Sequence, residues 1–355
     1  MSNKQVVGSV NGGPETVLST FNYPLGLPDE GQYGDAALTA LAWAPDARHL
    51  VVAAAVSEPY VEALYPYIVD TNTHAVTRIT LPASALASER ESVHRVFAWA
   101  DDHTLLIFGG FGGGSNGSGG TVTYRYDLSQ NSLTPLPGVT AAYEGVVRCS
   151  TLFYLEISPL AQIGSSAFSK GSALLHRYDL TTQSEIGAPI TLGDTSTFRG
   201  AEGDVELLGW DASPDGTRIV YQQTKVSVDN NQQLVKTSKF FAANADGSGA
   251  SPILTGATAT SGAFLAISPD GQWVAVTNAQ PTPAVLSGSL SGGAAHYYQP
   301  DAEGPPAWLA NSSGFEADNA LGSDQGIERW TLNTGGGKAQ GATVHQNSDS
   351  PAILP

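Results

Sequence analysis

Apolar and polar residues alternate along this chain in short runs, as in "RIVYQ" at 218–222 and "WVAVT" at 273–277. A period of two is the signature of a half-buried β-strand. Helical spacing is almost absent. The one short candidate, "ASALASERES" at 83–92, reads as loop. The alternating runs are bounded by turn residues, and the turns repeat. "AISPDGQWVAVTNA" (266–279) and "DASPDGTRIVYQQ" (211–223) carry the same Ser-Pro-Asp-Gly turn with matched flanks. Proline presets φ near −65°, Asp bonds its own backbone two residues on, and Gly accepts the positive φ of the hairpin exit.

The same phrase stands in weaker form at "LAWAPDARHLVVAAA" (41–55) and "FAWADDHTLLIFGG" (97–110), which makes Asp46, Asp102, Asp215 and Asp270 equivalent turn residues, with Gly216 and Gly271 behind the last two. Their intervals are 56, 113 and 55 residues, so one further unit is expected between Asp102 and Asp215. "GVVRCSTLFYLEIS" (145–158) fits it with a degenerate turn at Cys149-Ser150, and "PAWLANSSGF" (306–315) opens a sixth unit. Each unit has a second half in which a strand ends in Asp or an equivalent polar residue, turns and leaves, as in "YRYDLSQNSLTPLPG" (124–138). Four-stranded antiparallel units at this spacing predict an all-β chain folded as a β-propeller. The count is six blades, with seven as the alternative. The expected blades are 38–85, 94–138, 142–193, 204–256, 261–301 and 303–350, in a single domain spanning 1–355. Residues 14–23 are expected to supply a strand that completes the last blade and closes the ring, removing free sheet edges.

The Ser-Pro-Asp-Gly turn followed by an alternating strand resembles the WD40-like PD40 repeat of TolB-like propellers. It is sharp at 213–216 and 268–271 and weaker in the other units. The resemblance implies a six-bladed platform that binds another protein in the cell envelope. Propellers of this repeat type also accompany peptidases, lyases and sensor proteins, so the fold leaves activity open.

Charge narrows the partners. Thirty-three acidic residues against 16 basic ones give a formal charge of −17. Such a field repels nucleic acid and anionic membrane surfaces. No run is long and apolar enough for a membrane span. Cys149 is the single cysteine, so neither an intramolecular disulfide nor a Cys-based zinc site can form. Few lysines, much Thr, Ser and Gly, and strong acidity suit a protein working outside the cytoplasm. The expectation is an extracytoplasmic monomer whose leader or anchor is absent from this chain.

Catalytic motifs are not found. The run "GGFGGGSNGSGG" (109–120) matches both G-x-G-x-x-G and G-x-S-x-G, but "TVTYRYDL" follows it. A strand there provides neither the helix N-terminus for a phosphate nor a nucleophile elbow. Trp43 and Trp99 occupy one repeat position, filled by Ala212 and Ile267 elsewhere, and so read as inter-blade packing. Of the seven histidines none is in a metal-ligand spacing; His94 and His296 stand near strand starts.

The acids before the innermost strands are more informative, because chain arrival at an inner strand lies on the funnel face of a propeller. Glu91, Glu144, Glu202, Asp204, Glu206 and Glu303 gather there, with His94 and Arg95 beside them. Clustered carboxylates attract cations and basic surfaces. The expected function is therefore a non-catalytic binding propeller that meets a protein or peptide at an acidic funnel face. No cofactor is expected, with calcium or another divalent cation as the ion such a mouth would hold. The alternatives are a propeller enzyme (sugar lyase, or lactone or glycoside hydrolase) with a metal in its channel, and the sensor ectodomain of an anchored receptor.

Overall fold

A computed structural model describes residues 4–8, 16–22, 25, 27, 37–57, 62–81, 87–88, 95–108, 122–140, 142–165, 167–198, 208–258, 262–279, 284–299, 302, 304–319, 326–332, 338–340 and 342–346. Among them are strands and turns and no helix. The strands build six antiparallel blades, and the fold is a six-bladed β-propeller.

Two compact units divide the chain. The first, Met1–Gly145 with Leu354–Pro355, holds the first two blades. Ala37–Trp43, His49–Ser57, Glu62–Asp70 and Ala75–Arg78 make the first blade; Phe97–Trp99, Thr104–Phe108, Val122–Asp127 and Ser132–Thr140 make the second. Residues of both blades share a core of Val51, Ile68, Val96, Phe97, Leu105 and Ile107. Trp99 is buried in it, and its indole Nε1 donates to the Ala42 carbonyl at 2.9 Å. The packing slot expected at this repeat position is thus also a hydrogen-bonded seam.

The segment at 14–23 forms a strand, but its partner differs from the expectation. Thr16–Phe21 pairs with Lys4–Gly8 in a separate two-stranded sheet. The outer edge of the sixth blade is already bonded to Ala342–Gln346. Apolar burial holds the hairpin where it is: Val6 and Phe21 join the first-blade cluster of Leu50, Val52, Tyr65 and Tyr67, with Phe21 edge-on to Tyr67 at 5.4 Å.

The second unit, Val146–Ile353, holds most of the third blade and all of the last three. The third blade runs through Ala142–Arg148, Thr151–Ile157, Phe168–Asp179 and Ile190–Phe198. Trp210–Ala212, Arg218–Val228, Leu234–Asn244 and Ser251–Ile253 form the fourth, and Phe264–Ile267, Trp273–Ala279, Ala284–Ser289 and His296–Gln299 the fifth. The sixth consists of Ala307–Trp308, Gly314–Asn319, Gly326–Thr331 and Ala342–Gln346. Trp308 repeats the Trp99 device, donating to the Ala266 carbonyl at 2.8 Å. Asp211, 2% exposed, ties three inner strands: Oδ1 meets Arg148 Nη2 at 3.2 Å and Oδ2 accepts from Ile267 N at 2.7 Å.

The repeated turns close as their chemistry requires. Gly216 N donates to Ser213 O at 2.8 Å, Thr217 N donates to Asp215 Oδ1 at 3.0 Å, and Gly216 takes φ 69°. Asp270 and Gly271 reproduce this turn. In the first blade Asp46 Oδ1 accepts from Arg48 N and His49 N, while Ala47 takes the positive φ. The second blade departs from the alignment. There Asp101, not Asp102, accepts from His103 N at 2.8 Å. The reason is length: the bond closing the turn joins Ala100 to Thr104, against Ala44 to His49 in the first blade. One residue fewer moves the acid's role back one position.

Candidate functional site

The fourth blade has unequal strands. Its first and last strands are three residues long and its two middle strands eleven. The middle pair stays in register from Arg218↔Asn244 to Val228↔Leu234, whereas the first strand reaches only to Tyr221. Gln222 N still donates to the Gly209 carbonyl, and among the described residues nothing of the first strand flanks 223–228, about 20 Å of extended strand. The overhang lies opposite the Ser213–Gly216 turn, at the loop end, where the chain arrives at the inner strand. In the third blade Phe168–Ser172 run past Thr151–Ile157 but stay paired on both sides, with Ala161–Gln162 on one and Asp194–Phe198 on the other.

Between the fourth-blade hairpin and the third blade opens a cleft of about 480 Å³. Gly193 and Asp194 of the third blade form one wall; Gln223–Ser227 and Thr237 of the fourth form the other. Alternation sends Gln223, Lys225 and Ser227 to one side of the hairpin, with Lys239, Thr237 and Val235 as their cross-strand partners. Thr224 and Ser238 point the other way and are buried. They bond each other at 2.6 Å and both accept from Gln222 Nε2, whose Oε1 accepts from Ala263 N of the fifth blade at 3.0 Å. This satisfied network anchors the hairpin from behind and holds the cleft wall rigid.

The opposite wall is set by two residues. Asp194 Oδ2 accepts from Val226 N at 3.0 Å and lies 3.6 Å from Lys170 Nζ. Beside it, a Cβ on Gly193 would stand 2.7 Å from Thr224 N and 2.8 Å from Thr224 O. Only glycine allows the two blades this approach.

Of the sequence-predicted binding residues, Arg95 and Glu144 are described. Glu91, His94, Glu202, Asp204, Glu206 and Glu303 lie outside the described residues. Arg95 holds φ at 53°, and its carbonyl accepts from Gly145 N at 3.1 Å, which brings it beside Glu144 in the chain. Glu144 is 3% exposed, inside the strand Ala142–Arg148. It is a buried strand acid rather than a solvated loop acid.

A second cluster went unremarked in the sequence because only pairing assembles it. Tyr154 stands opposite His176, and Tyr178 opposite Glu185. Tyr154 stacks on the His176 ring at 4.7 Å and donates to Glu185 Oε1 at 2.5 Å. His176 Nε2 lies 3.1 Å from Glu156 Oε2, without aligned hydrogen-bond geometry. Burial, reinforced by the Glu185 acceptor, pushes the Tyr154 hydroxyl well above its ordinary range. It is a held donor, unsuited to act as base or nucleophile. Among the described residues no group of three His, Cys, Asp or Glu side chains is placed to hold a metal ion.

No protein family and no curated protein matches the chain in sequence. Solved structures match in shape. An acylaminoacyl peptidase of Pyrococcus horikoshii aligns at a TM-score of 0.51 and 9% identity, over 86% of this chain and 46% of that one. The β-propeller domain of the Trilobed protease from Pyrococcus furiosus aligns at 0.49 and 8%, over 84% and 82%. An oligogalacturonate lyase in complex with manganese aligns at 0.42 and 11%, over 82% and 88%. At these identities the likeness is one of fold alone.

Proposed function

We propose that the chain is a recognition propeller, without chemistry of its own, that binds a protein or peptide segment at the loop end of its blades. The observation that carries this reading is the open polar cleft between the third and fourth blades. Its walls are braced by Asp194, Gly193 and the Gln222 network, and its floor carries side chains that recognise rather than react. A rigid scaffold presenting open polar groups is the arrangement that recognition favours. The TolB-like character of the Ser-Pro-Asp-Gly turns is in keeping with it, and so is a place outside the cytoplasm.

The test is a peptide selection on the purified chain, followed by titration of the enriched peptides. Thr237→Trp fills the cleft from an exposed position. Enriched peptides are expected to lose at least about tenfold in affinity for that variant. Failure to enrich any peptide, or affinity untouched by the tryptophan, would overturn the reading. The rival is a propeller enzyme with a channel metal. It demands a melting temperature that rises by several degrees with calcium, manganese or zinc over EDTA; the binding reading expects no shift.

A further inference from the structure

Resting on the cleft as a peptide site, we propose that its occupant is an acidic segment in extended conformation, held through two carboxylates at positions i and i+2. The chain has six lysines: Lys4, Lys170, Lys225, Lys236, Lys239 and Lys338. Three of them, Lys225, Lys236 and Lys239, stand on the overhanging hairpin of the fourth blade and Lys170 on the neighbouring strand of the third, in a protein of formal charge −17. Lys170 is taken up by Asp194, and Lys236 is on the other face of the hairpin and engaged.

Lys225 and Lys239 remain. Both are exposed, and the register Gln223↔Lys239 and Lys225↔Thr237 puts them diagonally across one face. Diagonal neighbours on a sheet lie about 7–8 Å apart. Among the described residues no carboxylate pairs with either ammonium group. Asp194, the one acid among the described residues that line the cleft, has Oδ2 committed to Val226 N and Lys170. Among the described residues the local balance is therefore positive within an acidic molecule.

An extended peptide repeats its side-chain direction every second residue, about 7 Å along the strand. Two acids spaced i, i+2 match the two ammonium groups. Gln223, Ser227 and Thr237 supply flanking hydrogen-bond partners, and Val235, 39% exposed, a small apolar contact. The long-range field of the protein opposes an acidic ligand, so recognition depends on short-range pairing with these two lysines.

The experiment titrates the full chain with labelled Gly-Ser-Glu-Thr-Glu-Ser-Gly, its Gln-Thr-Gln analogue and its Lys-Thr-Lys analogue, read by fluorescence anisotropy. Lys225→Glu and Lys239→Glu are each compared with Arg125→Glu, an exposed charge reversal on the second blade. The Glu-Thr-Glu peptide is expected to bind best. Either lysine variant should weaken it about tenfold or more, and Arg125→Glu less than about twofold. Equal binding of the Gln or Lys analogue, or indifference to both lysine variants, would overturn the proposal. Selected peptides that are blocked by Thr237→Trp yet are not acidic would overturn it alone and leave the cleft as a peptide site. Insensitivity of every peptide to Thr237→Trp would overturn both.

Discussion

At the turn end of the fourth blade, Asp215 accepts from Thr217 N and from the Ser213 hydroxyl, and the hairpin closes on itself. At the other end of the same two strands, Lys225 and Lys239 have no carboxylate partner among the described residues, and polar side chains line an open cleft. One end spends its polar groups on its own backbone; the other leaves them for something else. The difference lies in strand length. Where four strands run side by side, side chains and main-chain groups find partners within the blade. Where only the middle pair continues, they face a gap between blades.

The largest expected effect is at the seam beneath both ends. Asp211→Ala leaves Ile267 N without its buried acceptor and removes the carboxylate from Arg148 Nη2, though Arg148 Nε keeps the Ala212 carbonyl, which should cost about 2–4 kcal/mol. Calorimetry should show a fall of several degrees in melting temperature; a loss under about 1 kcal/mol would mean that the inner strands are held by packing alone. Next comes Gly193→Ala, which must push the cleft walls apart and should cost about 1–3 kcal/mol. Peptide affinity should fall with it, and a variant that melts normally would show the walls to be compliant.

The turn acids give a pH test. The Ser213 hydroxyl and Thr217 amide hold the Asp215 carboxyl below its ordinary range, and the Arg48 guanidinium does the same for Asp70. A carboxyl whose folded value is lowered stabilises the fold above its unfolded value, near 3.9, and that contribution is lost as pH falls through the folded value. Melting temperature should be level between about pH 5 and 8 and should decline below about pH 4. Asp215→Asn should flatten part of that decline at a cost of about 0.5–1 kcal/mol at neutral pH. An unchanged acid slope would assign the loss to other groups. Smallest of all, Lys225→Ala or Lys239→Ala should leave stability within about 0.5 kcal/mol. A larger loss by chemical denaturation would make these lysines structural and erase the contrast between the two ends.

The parts legible in the sequence were those decided over a few neighbouring residues. Ser213-Pro214-Asp215-Gly216 announces its own hydrogen bonds, and alternation beside it announces the strand. Repetition of the pair announces a propeller. Small errors followed from the same locality: a turn one residue shorter moved the accepting acid from Asp102 to Asp101. Larger ones came where partners are distant. Thr16–Phe21 reads as a strand, but its choice of Lys4–Gly8 depends on where Phe21 can be buried. Glu144 reads as a loop acid because nothing in "AAYEGVVR" says that its strand is covered. The Tyr154–His176–Glu185 cluster draws on three strands, and no spacing along the chain betrays it.

The sequence by itself determined an all-β propeller of six or seven blades, because short-range turn chemistry and period-two burial act within a single hairpin. Tertiary structure alone decided where that regular scaffold opens. Among the described residues the cleft has its form because Trp210–Ala212 is shorter than the eleven-residue hairpin, Gly193 lets the next blade approach, and the register sets two lysines on one face. Each of these is a relation between strands, and its energy comes from contacts the chain makes only once folded.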